Sequence, residues 1–390
     1  MDKTLTPPSI EETQTWDQMD LKQELLRGIY AYGFDTPSEI QKKAILPLIS
    51  GKDLIAQAQS GSGKTGTFVI GTLQRIDLDS AKTQALILAP THELVKQIAA
   101  VFQSLGSMFE GFRVKTMIGG TSIRDDIQEL REKTPHVVVG TVGRIYDMIS
   151  KGHLSTRHLK LFVLDEADEM LSRGFGDQIK QMFQTHFASD MQVVLFSATL
   201  PPEIVRISEQ FMITPNKIMM KPAELNLKCI QQFYVAVQDD SVKFDVLKDL
   251  FSVISTSKCI IYCNSVNRVK ELYYYMAKDG FSVCCIHSSM EKEEREHVFH
   301  QFRNGDHRVL ISSDVTSRGI DIQQVSTVIN FDIPRCVNTY LHRIGRSGRW
   351  GRKGFAINFV TKIDIAEMRR IESHYNISIQ ELPSHFNGVV

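Results

Sequence analysis

The stretch that most restricts the fold is Ala58-Gln59-Ser60-Gly61-Ser62-Gly63-Lys64-Thr65, set between an apolar run and a helical pattern. A strand that ends in a glycine-rich turn and re-enters as a helix belongs to a parallel sheet. Only a crossover connection lets the next strand run in the same direction. Further along, Asp165-Glu166-Ala167-Asp168 ends a second apolar run. The first turn offers backbone N–H groups and Lys64 to triphosphate oxygens, and leaves the Thr65 hydroxyl for Mg²⁺. The second puts a metal-binding carboxylate, Asp165, and a water-orienting one, Glu166, at a strand's C-terminal tip. Each has a plainer reading, as an ordinary turn and as helix-capping acids. Together they describe a nucleotide hydrolase.

The same alternation continues along the chain. Asp53–Ala58, Ala85–Ala89, Val114–Ile118, His136–Val139, Leu161–Leu164, Gln192–Phe196 and Lys217–Met220 are β-rich runs separated by helical patterns. A second series comprises Lys258–Cys263, Ser282–Ile286, Arg308–Ser312, Thr327–Phe331 and Ala356–Val360. Uninterrupted apolar strands between helices imply sheets buried on both faces. With 390 residues, two α/β domains are expected. We divide the chain into a flexible segment 1–15, a first domain 16–221, a linker 222–228 and a second domain 229–390.

Charge and cysteine content narrow the class. The 45 basic and 45 acidic side chains cancel and are spread over both halves, so a nucleic-acid contact must come from a local groove. No run approaches the roughly 18 apolar residues of a membrane span, and the start carries no signal-peptide pattern. A soluble intracellular protein is expected, with its six cysteines reduced and in the core.

Two further elements refine the nucleotide reading. Gln41, after Phe34-Asp35-Thr36-Pro37, has the paired donor and acceptor that bidentate adenine recognition needs, and Trp16 is spaced to pack beside it. Taken singly, Gln41 reads as a surface helix residue and Trp16 as an apolar anchor. His342-Arg343-Ile344-Gly345-Arg346-Ser347-Gly348-Arg349 suits arginines that stabilise a transferring phosphoryl group. A solvated basic helix is the alternative, to which its glycines are ill suited.

In this order the residues resemble the DEAD-box family of ATP-dependent RNA helicases, from about Trp16 to the C-terminus. Phe34 to Gln41 is similar to the family's Q motif, Ala58 to Thr65 to its first motif, and Asp165 to Asp168 to its name-giving tetrapeptide. The resemblance implies two tandem RecA-like domains of helicase superfamily 2, each a parallel sheet sandwiched by helices. It implies ATP bound through Trp16, Phe34, Gln41, Ser60, Gly61, Ser62, Gly63, Lys64, Thr65 and Asp321. Mg²⁺ would sit on Thr65 and Asp165, with Glu166, Arg346 and Arg349 completing the catalytic set. RNA would meet Pro90, Thr91, Gly119, Gly120, Thr141, Gly143, Arg144 and Arg318. Asp168, Ser197, Thr199, His342 and Arg343 would couple hydrolysis to strand separation.

Leu25 to Phe34, Phe162 to Phe175 and Gly351 to Val360 are worded like the family's translation-initiation members. This implies a cytoplasmic, monomeric core acting on mRNA, single-stranded or in short duplexes, with a scaffold protein of the initiation factor 4G type. The alternatives are a nuclear RNA clamp of the exon-junction kind and a ribosomal-RNA processing helicase. A DNA-directed motor of the same superfamily fits the Q motif and Ser197-Ala198-Thr199 less well. Four positions depart from the family pattern. They are His92 for Arg, Val142 for Pro, Ser317 for Ala, and Ser288 after His287 for Gly.

Overall fold

The computed structural model describes residues 13–58, 61–220, 230–253, 258–314, 325–347 and 354–383. Internal contacts divide the chain at residue 220 into two compact units. In the first, the strands are β1 (Leu54–Gln57), β2 (Ala85–Leu88), β3 (Val114–Met117), β4 (Val137–Gly140), β5 (Leu161–Leu164), β6 (Gln192–Ser197) and β7 (Asn216–Met219). Between and around them run α1 (Gln23–Ala31), α2 (Glu39–Ile49), α3 (Lys64–Arg75), α4 (His92–Leu105), α5 (Ile123–Glu132), α6 (Val142–Ser150), α7 (Ala167–Ser172), α8 (Gly176–Thr185) and α9 (Pro202–Phe211). Every strand pair is parallel and the order is β3-β4-β2-β5-β6-β1-β7.

The second unit repeats this plan. Its strands are β8 (Ile230–Ala236), β9 (Cys259–Tyr262), β10 (Val283–Ile286), β11 (Val309–Ser312), β12 (Thr327–Asn330), β13 (Gly354–Val360) and β14 (Gln380–Glu381). Its helices are α10 (Lys243–Val253), α11 (Val266–Lys278), α12 (Lys292–Asn304), α13 (Val337–Ile344) and α14 (Ile365–Tyr375). The order β10-β11-β9-β12-β13-β8-β14 is again wholly parallel. Two tandem RecA-like sheets sandwiched by helices are therefore present.

Central strands are buried on both faces, which is why they read as unbroken apolar runs. The first unit buries Leu86, Val138, Phe162 and Leu195 in one cluster with Ile145, Met148, Met170 and Met182 from the helices. The second does the same around Ile261, Ile311 and Ile357. Two strands escaped the apolar-run reading. β8 is interrupted by Gln231 and Gln232, and β14 has only two residues, whose side chains are exposed. Cys336 is exposed rather than in the core. Among the described residues, no helix is long and apolar enough to cross a membrane.

Candidate active site and nucleic-acid interface

Sheet order places the chemistry. β5, β6 and β1 are adjacent, so three segments distant in sequence leave the same end of the sheet side by side. They are the glycine-rich turn after β1, Asp165 to Asp168 after β5, and Ser197 to Thr199 at the end of β6. Gly63 holds φ 104° and serves as N-cap of α3, a helix that begins at Lys64. A Cβ there would lie 2.5 Å from Ser38 Oγ, so only glycine lets the turn pass so close to α2. First-turn N–H groups of α3 without intrahelical partners face the position where an anion binds.

Lys64 reaches across to the acids, its Nζ 3.3 Å from Glu166 Oε1, with both side chains buried. Burial pulls its ammonium pKa down, but the Glu166, Asp165 and Asp168 charges outweigh this and raise it. Asp165 accepts the Glu166 N–H at 3.0 Å. Its burial, opposed by Lys64 and reinforced by the neighbouring carboxylates, pushes its pKa up to about 7. Three buried carboxylates around one ammonium are short of positive charge. Asp165 just past β5 and the Thr65 hydroxyl in the first turn of α3 are hard-oxygen donors of the kind that fits Mg²⁺. Among the described residues no group of three acids or histidines could hold a metal alone. Glu166 itself adopts φ 54°, a left-handed conformation uncommon for a side-chain-bearing residue, as N-cap of α7.

The adenine-side residues are arranged differently from expectation. Trp16 is 1% exposed and donates its indole N–H to the Phe34 carbonyl at 2.9 Å, so it anchors Phe34 and is closed to a ligand. Gln41 Oε1 accepts the Ser38 N–H at 2.7 Å, and Nε2 donates to the Gly63 carbonyl at 3.4 Å. Both its polar atoms thus bind the cap of α2 and the phosphate loop. The amide has a second N–H and a second lone pair, so meeting adenine need not break those bonds.

Asp168, Ser197 and Thr199 do come together. Thr199 Oγ1 donates to Asp168 Oδ2 at 2.8 Å, Ser197 Oγ donates to the Thr199 carbonyl at 2.6 Å, and the Asp168 N–H donates to Ser197 Oγ at 3.3 Å. This links the end of β6 to the start of α7.

On the other half of the same sheet, β3-β4-β2, the strand ends carry Gly119 and Gly120, Thr141 and Gly143, and Pro90 and Thr91. Thr91 caps α4 by accepting the Leu94 N–H. Open space lies over Gly120 and Gly143. Glycines and helix N-termini at one edge are suited to phosphate contacts. Pro90 is buried. Arg144 also departs from expectation, since its guanidinium is committed within the protein (below). Val142 occupies the first position of α6 and is fully buried, so its packing serves where the family's proline would need only a fixed φ.

In the second unit Arg343 is fully buried. It donates to Asp314 at 2.6 Å, to Asn264 Oδ1 at 2.8 Å and to the Asp332 carbonyl at 2.8 Å. Arg346 is buried too, its Nε donating to the His342 carbonyl at 3.3 Å, and so lies folded against its own helix. Ser60, Ser317, Arg318, Asp321 and Arg349 lie outside the described residues, as do most of segment 1–15 and linker 222–228. Sequence reasoning missed Asn264, Asp332 and Asp126. Their partners come from other segments of the chain, and no local pattern marks them out from neighbouring polar residues.

A phosphate loop on the first of two tandem parallel-sheet units, with a buried arginine cluster in the second, is the ground plan of a nucleotide-driven helicase. Residues 38–207 match the DEAD/DEAH box helicase model, and residues 242–351 the helicase conserved C-terminal domain. The chain is 51% identical over 377 residues to eukaryotic initiation factor 4A of Caenorhabditis elegans, covering 97% of this chain and 93% of that protein. It is 50% identical to the ATP-dependent RNA helicase eIF4A of Phaeosphaeria nodorum, covering 97% and 95%. The structure of Saccharomyces cerevisiae Dbp5 bound to RNA and ADP BeF3 superposes with a TM-score of 0.86 at 34% identity, covering 95% and 96%. The chain belongs to the DEAD-box helicase family, close to initiation factor 4A.

Proposed function

We propose that the protein is an RNA-stimulated ATPase that separates short RNA duplexes in an initiation factor 4A-like role on mRNA. The observation that carries the reading is the shared sheet end. One sheet presents a phosphate turn with its acids on β5-β6-β1, and open glycine turns on β3-β4-β2, with the Asp168–Thr199 bond at the end of β6. We take residues 16–221 and 229–390 as its two domains.

In this reading the α3 N-terminus and Lys64 bind the ATP phosphates, and Thr65 and Asp165 hold Mg²⁺. Mg²⁺ held there would neutralise charge on the phosphates. Glu166 holds the attacking water and receives its proton at the carboxylate. Once phosphates draw Lys64 away, Glu166 is released for that task. Arg346 and Arg349 stabilise the charge on the transferring group. RNA is gripped through its backbone and hence without base preference. By linkage, ATP and RNA tighten each other by the same factor. A cytoplasmic location and a scaffold partner of the initiation factor 4G type complete the proposal and follow from its kinship alone.

The test is steady-state ATPase activity with and without single-stranded RNA, with single-stranded DNA as control. Stimulation by RNA alone is expected. Turnover indifferent to RNA would sink the coupled mechanism, and equal stimulation by DNA would reject the RNA assignment.

A further inference from the structure

We infer that Arg144 and Asp126 form a positioning pair that holds the Gly119-Gly120-Thr121 turn in its RNA-binding shape, Arg144 being no phosphate ligand itself. The inference rests on the reading of this sheet end as the RNA surface.

Three observations carry it. Arg144 is only 8% exposed, and both terminal nitrogens are in use. Nη1 donates to Asp126 Oδ2 at 2.5 Å and Nη2 donates to the Thr121 carbonyl at 2.7 Å. Asp126, in the first turn of α5, is 4% exposed and also receives Lys115 Nζ at 3.2 Å. The turn has few other restraints. Gly120 sits at φ 78° in open space, and the Thr121 hydroxyl donates to the Ile118 carbonyl at 2.9 Å. The guanidinium fork is therefore the strut between the N-terminus of α6 and the carbonyl that ends the turn. A planar fork can serve a carboxylate and a carbonyl at once, whereas an ammonium is a single point of charge.

The two roles predict opposite results at Asp126. If Arg144 were a phosphate ligand, Asp126→Asn would remove a competing negative charge and tighten RNA binding. If the pair positions the turn, Asp126→Asn loosens it and weakens binding several-fold, despite the more favourable charge. Arg144→Lys separates them again, because lysine serves well as a phosphate contact but cannot replace the fork.

The experiment measures binding of a labelled single-stranded RNA across a salt series, for the full chain and for Asp126→Asn, Asp126→Glu, Arg144→Lys and Arg144→Gln. The RNA dependence of ATPase activity is followed alongside. Taking one cationic side chain away from an RNA phosphate should lower the slope of log affinity against log salt by about 0.7. We expect weaker binding in Asp126→Asn, Arg144→Lys and Arg144→Gln at an unchanged slope, and partial rescue in Asp126→Glu. The RNA concentration for half-maximal stimulation should rise while turnover at saturating RNA is kept. Tighter or unchanged binding in Asp126→Asn, normal binding in Arg144→Lys, or a slope lowered in Arg144→Gln overturns the inference. So does a collapse of saturated turnover in every variant, which would mean general damage. An unsubstituted chain that binds no RNA overturns the RNA reading itself, and the pair's role with it.

Discussion

Glu166 combines a buried carboxylate, a lysine partner 3.3 Å away and a left-handed backbone. Changing it to Gln keeps the shape and removes the proton acceptor. Turnover should fall about 10²–10⁴-fold, the range for a general base, while the ATP dissociation constant changes little; single-turnover hydrolysis beside equilibrium nucleotide binding checks this. His136 offers a stability test. Its Nδ1 accepts the Arg113 N–H at 3.1 Å, and burial, then the Arg113 charge, lowers its pKa below the usual 6.5. The unfolded chain thus takes up a proton before the folded one as pH falls. The His136 contribution to stability should therefore fall as pH drops through 6.5, read as the difference between the parent and His136→Gln in urea unfolding curves from pH 7.5 to 5.5, because the raised Asp165 pKa acts in the opposite direction over that range. Residue identities were readable where the chemistry is local, as at Lys64 and Asp165. Partner choice was not. Gln41 bonding to Gly63, Trp16 closing over Phe34 and Arg144 turning to Asp126 are settled by packing between segments far apart in the chain.

Elements carry the arrangement that single residues cannot. The phosphate turn is only as fixed as β1, and β1 is pinned by Asp53, whose carboxylate accepts the N–H of Val193 at 2.7 Å and of Ile213 at 2.6 Å. Asp53→Ala would leave the buried Val193 N–H unmet, and the Ile213 N–H at the exposed edge to water, and should cost about 1–3 kcal/mol, read from denaturant midpoints at constant slope. The inner strands β2, β4, β5 and β6 of the first unit were legible because they are buried on both faces. β8 was hidden because exposed Gln231 and buried Gln232, the latter accepting the Tyr340 hydroxyl, interrupt its apolar run, although it pairs along its whole length with β13. Apolar periodicity reports burial, and a strand partly open to solvent lacks the signal.

At the scale of the molecule, each unit closes its own sheet around its own core. A chain ending at residue 220 should therefore fold, unfold cooperatively and bind ATP weakly. Its RNA-stimulated turnover should be lost, because Arg343, Arg346 and Arg349 belong to the other unit. Circular dichroism and ATPase assays of that fragment check both halves of the expectation. The register of β1 has a consequence for synthesis. Leu54 pairs with Val194 on one side and Asn216 on the other. While the ribosome is still making the residues between, the phosphate-loop strand has no neighbour to join. The nascent chain must carry Leu54-Ile55-Ala56-Gln57 unpaired past four later strands, a long non-local closure that slows folding and exposes apolar edge. The catalytic turn is translated before β2 to β5 and framed only after them, by β6 and β7. Chaperone occupancy during elongation should accordingly fall off only after Met219 itself has emerged from the exit tunnel.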